Sequence, residues 1–214
     1  MILTRRRFAA IGLVGGLLAG VDATVRATPV APGHHSPEDW VGRVFVDERA
    51  GADVRSITVT VWRYASRDLA SAGRGALADQ ATAPDLADDI SILEVEEFPL
   101  SSLPGSLKSW VEVVGDGVRE MLFAGGFFHQ DLFVWSIVTT GEDRDAMYSL
   151  ITEVGHDLLS RGMPATPEVE HPFVGGLWDL LPTEDDLPGE FRLYQIVEQD
   201  NRYTPEGTPI PPFE

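Results

Sequence analysis

Two adjacent histidines are the residues closest to a metal-binding pattern. His34 and His35 are followed by Glu38 and Asp39, and imidazole and carboxylate groups are common metal ligands. The surrounding segment is rich in proline and has no hydrophobic period, so nothing is expected to hold these side chains in a fixed geometry. We therefore predict no metal centre and no cofactor, with His34 and His35 as the residues to test first.

The other three histidines are candidates for acid–base chemistry, because the ordinary pKa of histidine lies close to neutral pH. His129 precedes Gln130 in a predicted hairpin, and His171 precedes Pro172 in a predicted loop. Either of these two side chains can line a cleft. His156 falls on the polar side of a predicted helix, where we expect it to be exposed.

Three glutamates occupy two predicted strands. If Ser91–Phe98 pairs with Ser109–Val114, then Glu94, Glu96 and Glu112 share one face of the sheet. Close carboxylates can divide acid and base roles or bind a cation. A row of glutamates is also typical of the solvated face of a sheet, so both interpretations remain open.

An aromatic pair marks the predicted binding site. Phe127 and Phe128 follow a glycine pair that predicts a turn, and turns usually lie at the surface. We therefore expect Phe127, Phe128 and His129 to form an exposed patch that binds a protein partner or a small ligand. Trp62, on a predicted strand, is expected in the core instead.

Charge and missing motifs exclude several classes of function. The 214-residue chain has 16 Lys and Arg against 34 Asp and Glu, a formal net charge of −18. Such a protein is not expected to bind nucleic acid or an anionic membrane through a positive field. Its acidic surface suits contact with cations instead. The absence of cysteine excludes disulfides and thiol catalysis. Nucleophile-elbow, zinc-protease, phosphate-loop and dinucleotide-binding motifs are also absent.

Residues 1–27 have the architecture of a cleavable export signal. A basic start precedes an uncharged apolar run of 14 residues, from Phe8 to Val21, which is too short for a permanent anchor. Arg5, Arg6 and Phe8, with Thr4 before them, resemble the twin-arginine export motif. An ordinary secretory leader is the alternative and leads to the same compartment. We predict cleavage after Ala27 and a periplasmic or extracellular protein.

The mature chain is predicted to be an α+β domain. Alternating or apolar strand patterns at 43–46, 56–64, 91–98, 109–114, 118–124 and 132–139 predict an antiparallel meander, and helical patterns begin at Ser66 and Glu142. We predict a linker over 28–39, a domain over 40–164 with helices packed on one face of the sheet, and an extension over 165–214. That extension carries a terminal strand at 190–198 and a mobile Pro-rich tail from Thr204.

The order of these elements, over about residues 56–162, resembles exported domains of the PsbP-like kind. That resemblance rests on element order and identifies no site residues, because a fold does not specify a function. The sequence therefore favours an exported, soluble, non-catalytic domain that binds a ligand or protein. The alternatives are an exported hydrolase, built from His129, His171 and the strand glutamates, and a metal- or cofactor-binding protein.

Overall fold

An eight-stranded antiparallel sheet organises the part of the chain that the structure describes. The structure, a computed structural model, describes residues 37–49, 51–82, 90–96, 107–115, 119–161, 176–199 and 201–210. The strands are β1 (Asp39–Asp47), β2 (Val54–Arg63), β3 (Ile90–Glu96), β4 (Leu107–Gly115), β5 (Arg119–Gln130), β6 (Phe133–Gly141), β7 (Phe191–Glu198) and β8 (Asn201–Tyr203). Their order in the sheet is β3-β4-β5-β6-β2-β1-β7-β8.

The predicted α+β class and the antiparallel meander are confirmed. Strands β3 to β6 are neighbours in chain order, and β6 then pairs with β2 near the middle of the sheet. All nine residues of β6 are buried, which agrees with its apolar side chains on both faces. A strand of this composition is stable only where both faces are covered.

The two helices cover opposite faces of the sheet, so the prediction that they share one face is wrong. Helix α1 (Arg67–Thr82) contributes Ala70 to a core cluster that includes Phe127. Helix α2 (Arg144–Arg161) contributes Ile151 to a second cluster that includes Phe128. Since consecutive residues of a strand point to opposite faces, the two clusters lie on the two sides of β5.

Helix α2 forms where its acidic start and apolar stripe predict. The Asp143 carboxylate caps its first turn by accepting a hydrogen bond of 2.8 Å from the Ala146 amide. One stripe of the helix is buried against the sheet and consists of Met147, Tyr148, Leu150, Ile151, Val154, Gly155 and Leu158. Arg161 is the last residue of the helix, and its positive charge interacts favourably with the negative carboxyl end of the helix dipole.

Residues 176–199 return the chain to the sheet. Two short 3₁₀ turns, Leu177–Leu180 and Glu184–Asp186, precede β7. Strand β7 pairs with β1, which confirms the predicted terminal strand and places it in the same sheet as the preceding strands. The register shifts beside Val44, so Tyr194 occupies a bulge and is 41% exposed.

The beginning of the Pro-rich tail folds back on β8, so its prediction as extended is wrong for residues 204–210. The Thr204 amide donates to the Thr208 carbonyl over 2.8 Å, and the Ile210 amide donates to the Arg202 carbonyl over 2.8 Å. Gly207 has a φ of 82°, which glycine adopts without steric cost. The turn brings Pro209 beside Tyr203 at the edge of the sheet.

None of the helices within the described ranges is both long enough and apolar enough to cross a membrane.

The fit of α1 on the sheet depends on a glycine. The Tyr64 ring occupies the space beside Gly73. The Tyr64 side chain is buried there, and this burial raises the pKa of its hydroxyl to about 12. A Cβ atom at Gly73 would lie 2.3 Å from the Cζ and Oη atoms of Tyr64. At Gly75, two residues along the helix, a Cβ atom would meet nothing within 4 Å.

We therefore predict opposite effects for the same substitution at these two glycines. Gly73→Ala should lower the free energy of unfolding by roughly 2 kcal/mol, because the clash forces the Tyr64 ring or the helix to move. Gly75→Ala should raise it by about 0.5 kcal/mol, because alanine restricts the unfolded chain and favours helix. Chemical denaturation measures both values, and equal effects would contradict the proposed packing.

Candidate functional site

The predicted aromatic patch is not at the surface. Phe127 and Phe128 are both 0% exposed, so the expectation that they form an exposed binding patch is wrong. The physical reason is that Gly125 and Gly126 do not form a turn. Both glycines lie inside β5, and the chain reverses later, at Asp131, which adopts a φ of 53°.

His129 is the member of the predicted site that retains some exposure. It lies at the end of β5, on the face that α1 covers, and its Nδ1 atom is buried without a hydrogen-bond partner. Burial lowers the pKa of His129, and the positive charge of Arg74 lowers it further. The imidazole is therefore neutral near pH 7. His156 is exposed on α2, across the sheet, so these two histidines do not meet.

The structure gives different outcomes for the other candidate residues. The predicted pairing of β3 with β4 is confirmed, and Glu94 lies opposite Glu112 in its register. Glu38 and Asp39 both form ion pairs with Arg63, at 3.5 and 2.8 Å. Among the residues described, no group of three or more histidines and carboxylates is placed to hold a metal ion. The candidates His34, His35, His171, Arg5, Arg6, Phe8 and Ala27 lie outside the described residues.

A cleft near one end of β1 is the strongest candidate site in the described part of the chain. Its volume is about 310 Å³, and three segments that are distant in sequence form it. These segments are the β1–β2 hairpin, one side of α2, and the start of β7 with Pro188 before it. Clefts between packed elements are common positions for small-ligand sites.

The cleft has an apolar floor and a charged rim. Leu150 of α2 and Phe191 of β7 form the floor, and they are 6% and 5% exposed. Arg49 and Asp53 of the hairpin and Glu153 of α2 are exposed residues of the rim. A ligand in the cleft would therefore contact hydrocarbon below and charged groups at the entrance.

An ion pair within the hairpin fixes one wall of the cleft. The Asp47 side chain is only 2% exposed, and the Arg49 Nε atom donates to its two carboxylate oxygens over 2.9 and 3.1 Å. The Arg49 amide also donates to Asp47 Oδ1 over 3.0 Å. The hydrogen bonds from the Arg49 side chain lower the pKa of Asp47, although burial opposes this effect. Asp47 is consequently ionised at neutral pH.

A second contact joins the hairpin to the start of α2. The Asp53 carbonyl accepts hydrogen bonds from the Glu142 amide over 2.9 Å and from the Asp143 amide over 3.3 Å. The approach is close enough that a Cβ atom at Gly141 would lie 2.2 Å from the same carbonyl oxygen. The two walls of the cleft are therefore joined through main-chain atoms, which have little freedom to move.

Sequence reasoning did not identify this cleft. Asp47, Asp53 and Glu153 lack a recognisable motif, and their spacing does not match a known ligand-binding loop. The missing signal was the position of α2, which depends on the sheet order and on the face that this helix covers. The acids Asp47, Glu48 and Asp53 are a usable clue, because they lie between the predicted strands at 43–46 and 56–64.

Comparisons with known proteins do not assign a family. No known protein family matches the chain, and no curated protein sequence matches it. One solved structure that it resembles is PA94 from Pseudomonas aeruginosa, a protein of unknown function described as a putative regulator. The two share 12% sequence identity over 59% of this chain and 83% of that chain, with a TM-score of 0.30. A similarity this low supports no inference about function.

We predict that Arg49→Gln destabilises the fold more than Arg55→Gln. Loss of Arg49 leaves the nearly buried Asp47 carboxylate without its guanidinium partner, which should lower the free energy of unfolding near neutral pH by more than the loss of an exposed ion pair does. Arg55 pairs with Glu142, and these side chains are 43% and 65% exposed, so its loss should cost less than about 1 kcal/mol.

The effect of Arg49→Gln should also depend on pH. The folded-state pKa of Asp47 lies below the ordinary value of 3.8, so its stabilising contribution is present above that pH and is lost as the pH falls through the lowered pKa. Denaturation curves near neutral pH and at about pH 3 should show the gap between wild type and variant shrinking in acid. A stability difference between wild type and Arg49→Gln that is constant or grows in acid would contradict the role of Asp47 as the ionised partner of Arg49.

Proposed function

We propose that the protein is an exported, non-catalytic domain that binds a small ligand in the cleft between the β1–β2 hairpin, α2 and β7. The observation that carries this proposal is the cleft itself. Its volume of about 310 Å³ falls at the small end of the range for ligand sites, and it combines an apolar floor with charged groups at the rim.

The chemistry of the cleft favours binding over catalysis. A general acid or base works best with a pKa near the operating pH. The pKa of Asp47 is instead lowered, further away from neutral pH, because its oxygens accept hydrogen bonds from Arg49. This pair holds the wall of the cleft in shape, and the hydrogen bonds of Asp53 to α2 hold the facing wall. A rigid cleft reduces the entropy that a ligand loses on binding.

Export is supported by the sequence of residues 1–27. The basic start, the short apolar run and the small residues before the predicted cleavage point form the three parts of an export signal. Cleavage after Ala27 leaves 12 basic and 33 acidic residues, a formal charge of −21. The domain would then meet its ligand in the periplasm or outside the cell.

The export route can be tested by conservative substitution within the leader. In a bacterium with a twin-arginine pathway, the full chain with both Arg5→Lys and Arg6→Lys should stay in the cytoplasm uncleaved, because that pathway recognises the paired arginines. Arg7→Lys is the matched control and should be exported like wild type. Cell fractionation and the mass of the exported chain report both results. Export of the double variant would contradict the twin-arginine route, and retention of wild type would contradict export.

Ligand binding can be tested with a fragment library that covers cationic, neutral and anionic compounds. In ¹H–¹⁵N NMR spectra, we expect fragments to shift amide signals of Leu150, Glu153 and Phe191, because these residues line the cleft. Ser149→Trp should abolish the shifts by filling the entrance. Ser160→Trp is the control, since this serine is also exposed on α2 but does not line the cleft. Shifts that concentrate elsewhere would contradict the proposed site.

A further inference from the structure

We infer that the cleft selects an organic cation with an apolar body, such as an alkyl or aryl ammonium compound. This inference rests on the proposed function and names the class of ligand. It depends on three features of the cleft: two exposed carboxylates at the rim, the apolar floor and the position of the one arginine.

The carboxylates of Asp53 and Glu153 are exposed at the rim of the cleft. Among the described residues, neither carboxylate forms an ion pair or a hydrogen bond, although the backbone of Asp53 is hydrogen-bonded. They reach the rim from different walls, Asp53 from the hairpin and Glu153 from α2. A cationic group at the entrance would therefore lie between two negative charges.

The single arginine of the cleft is held mainly by Asp47. Arg49 donates hydrogen bonds to Asp47, and its pKa is raised first by that carboxylate and to a smaller extent by the charges of Glu190 and Asp53. Asp53 and Glu153 then leave the lining with two excess negative charges. The surrounding protein reinforces the sign, because the chain carries a formal charge of −18 and attracts cations to its surface.

The floor of the cleft explains why the cation should be organic. Leu150 and Phe191 are nearly buried, and Val54 is half-buried beside them. A hydrocarbon group on this floor would remove apolar surface from water, which favours binding. A metal ion such as Ca²⁺ requires six to eight oxygen ligands, and two carboxylates above an apolar floor do not supply them.

The inference can be tested with three compounds of similar shape and different charge. The full-length protein, labelled with ¹⁵N, is titrated with 2-phenylethylammonium, 2-phenylethanol and phenylacetate at equal ionic strength. We expect the cation to bind with a Kd about 3- to 10-fold lower than that of the alcohol, because each exposed ion pair adds a modest attraction. Phenylacetate should bind most weakly. Added salt should reduce the advantage of the cation.

Matched variants assign the effect to the rim. Glu153→Gln keeps the size of the side chain and removes its charge, so it should weaken binding of the cation about 3-fold and leave the alcohol unchanged. Asp53→Asn should act in the same direction. Glu198→Gln removes an exposed charge at the far end of β7 and should change neither Kd.

The outcomes separate this inference from the proposed function. Equal affinities for the cation and the alcohol, or tighter binding of phenylacetate, would overturn the cationic class while leaving the cleft as a ligand site. A cation preference that Glu153→Gln and Asp53→Asn do not reduce would overturn the role of the rim. If none of the three compounds, and no fragment of the library, shifts signals of the cleft, the proposed function itself fails.

Discussion

The burial of β6 on both faces is the constraint on which the rest of the fold depends. Every residue of this strand is buried, so apolar partners must cover it from two sides. The chain meets this requirement with one helix on each face, and neighbouring residues of β5 follow the same division. Phe127 belongs to the cluster that includes α1, and Phe128 belongs to the cluster that includes α2. Placing both helices on one face would leave half of these aromatic and branched side chains in water.

A network of charged groups holds the 176–186 segment beside α2. The Arg43 guanidinium donates to the Pro182 carbonyl over 2.8 Å and lies 5.6 Å from the centre of the Trp178 ring. Arg161, at the end of α2, forms an ion pair with Asp186 at 2.6 Å, and this contact lowers the pKa of Asp186 to about 2. Since the folded-state pKa lies below the ordinary value, this stabilisation is present above about pH 4 and is lost in stronger acid. The network therefore fixes the approach to β7, which supplies part of the cleft floor.

Local sequence patterns predicted the elements well and the relations between distant elements poorly. The alternation around Val59 and the stripe of α2 are properties of short windows, so β2 and α2 were predicted close to their observed bounds. The glycine pair before Phe127 was misleading, because glycine also occurs inside strands and the surrounding residues belong to β5. The face that each helix covers and the cleft beside Asp53 depend on contacts between separate segments. A one-dimensional pattern does not contain that information.

The acids of the cleft differ in what they contribute to stability. Asp47 contributes to the fold because Arg49 satisfies its carboxylate, whereas the carboxylates of Asp53 and Glu153 are exposed at the rim and form no ion pair with the residues that the structure describes. Exposed acids stabilise a fold less than a paired, nearly buried acid does, so a neutral residue at either rim position would cost the fold little. A cation that binds only the folded state would raise the free energy of unfolding as its concentration increases. In this view, the hydrogen bonds of the Asp53 carbonyl to the amides before α2 keep the two walls that carry these acids in a fixed relation.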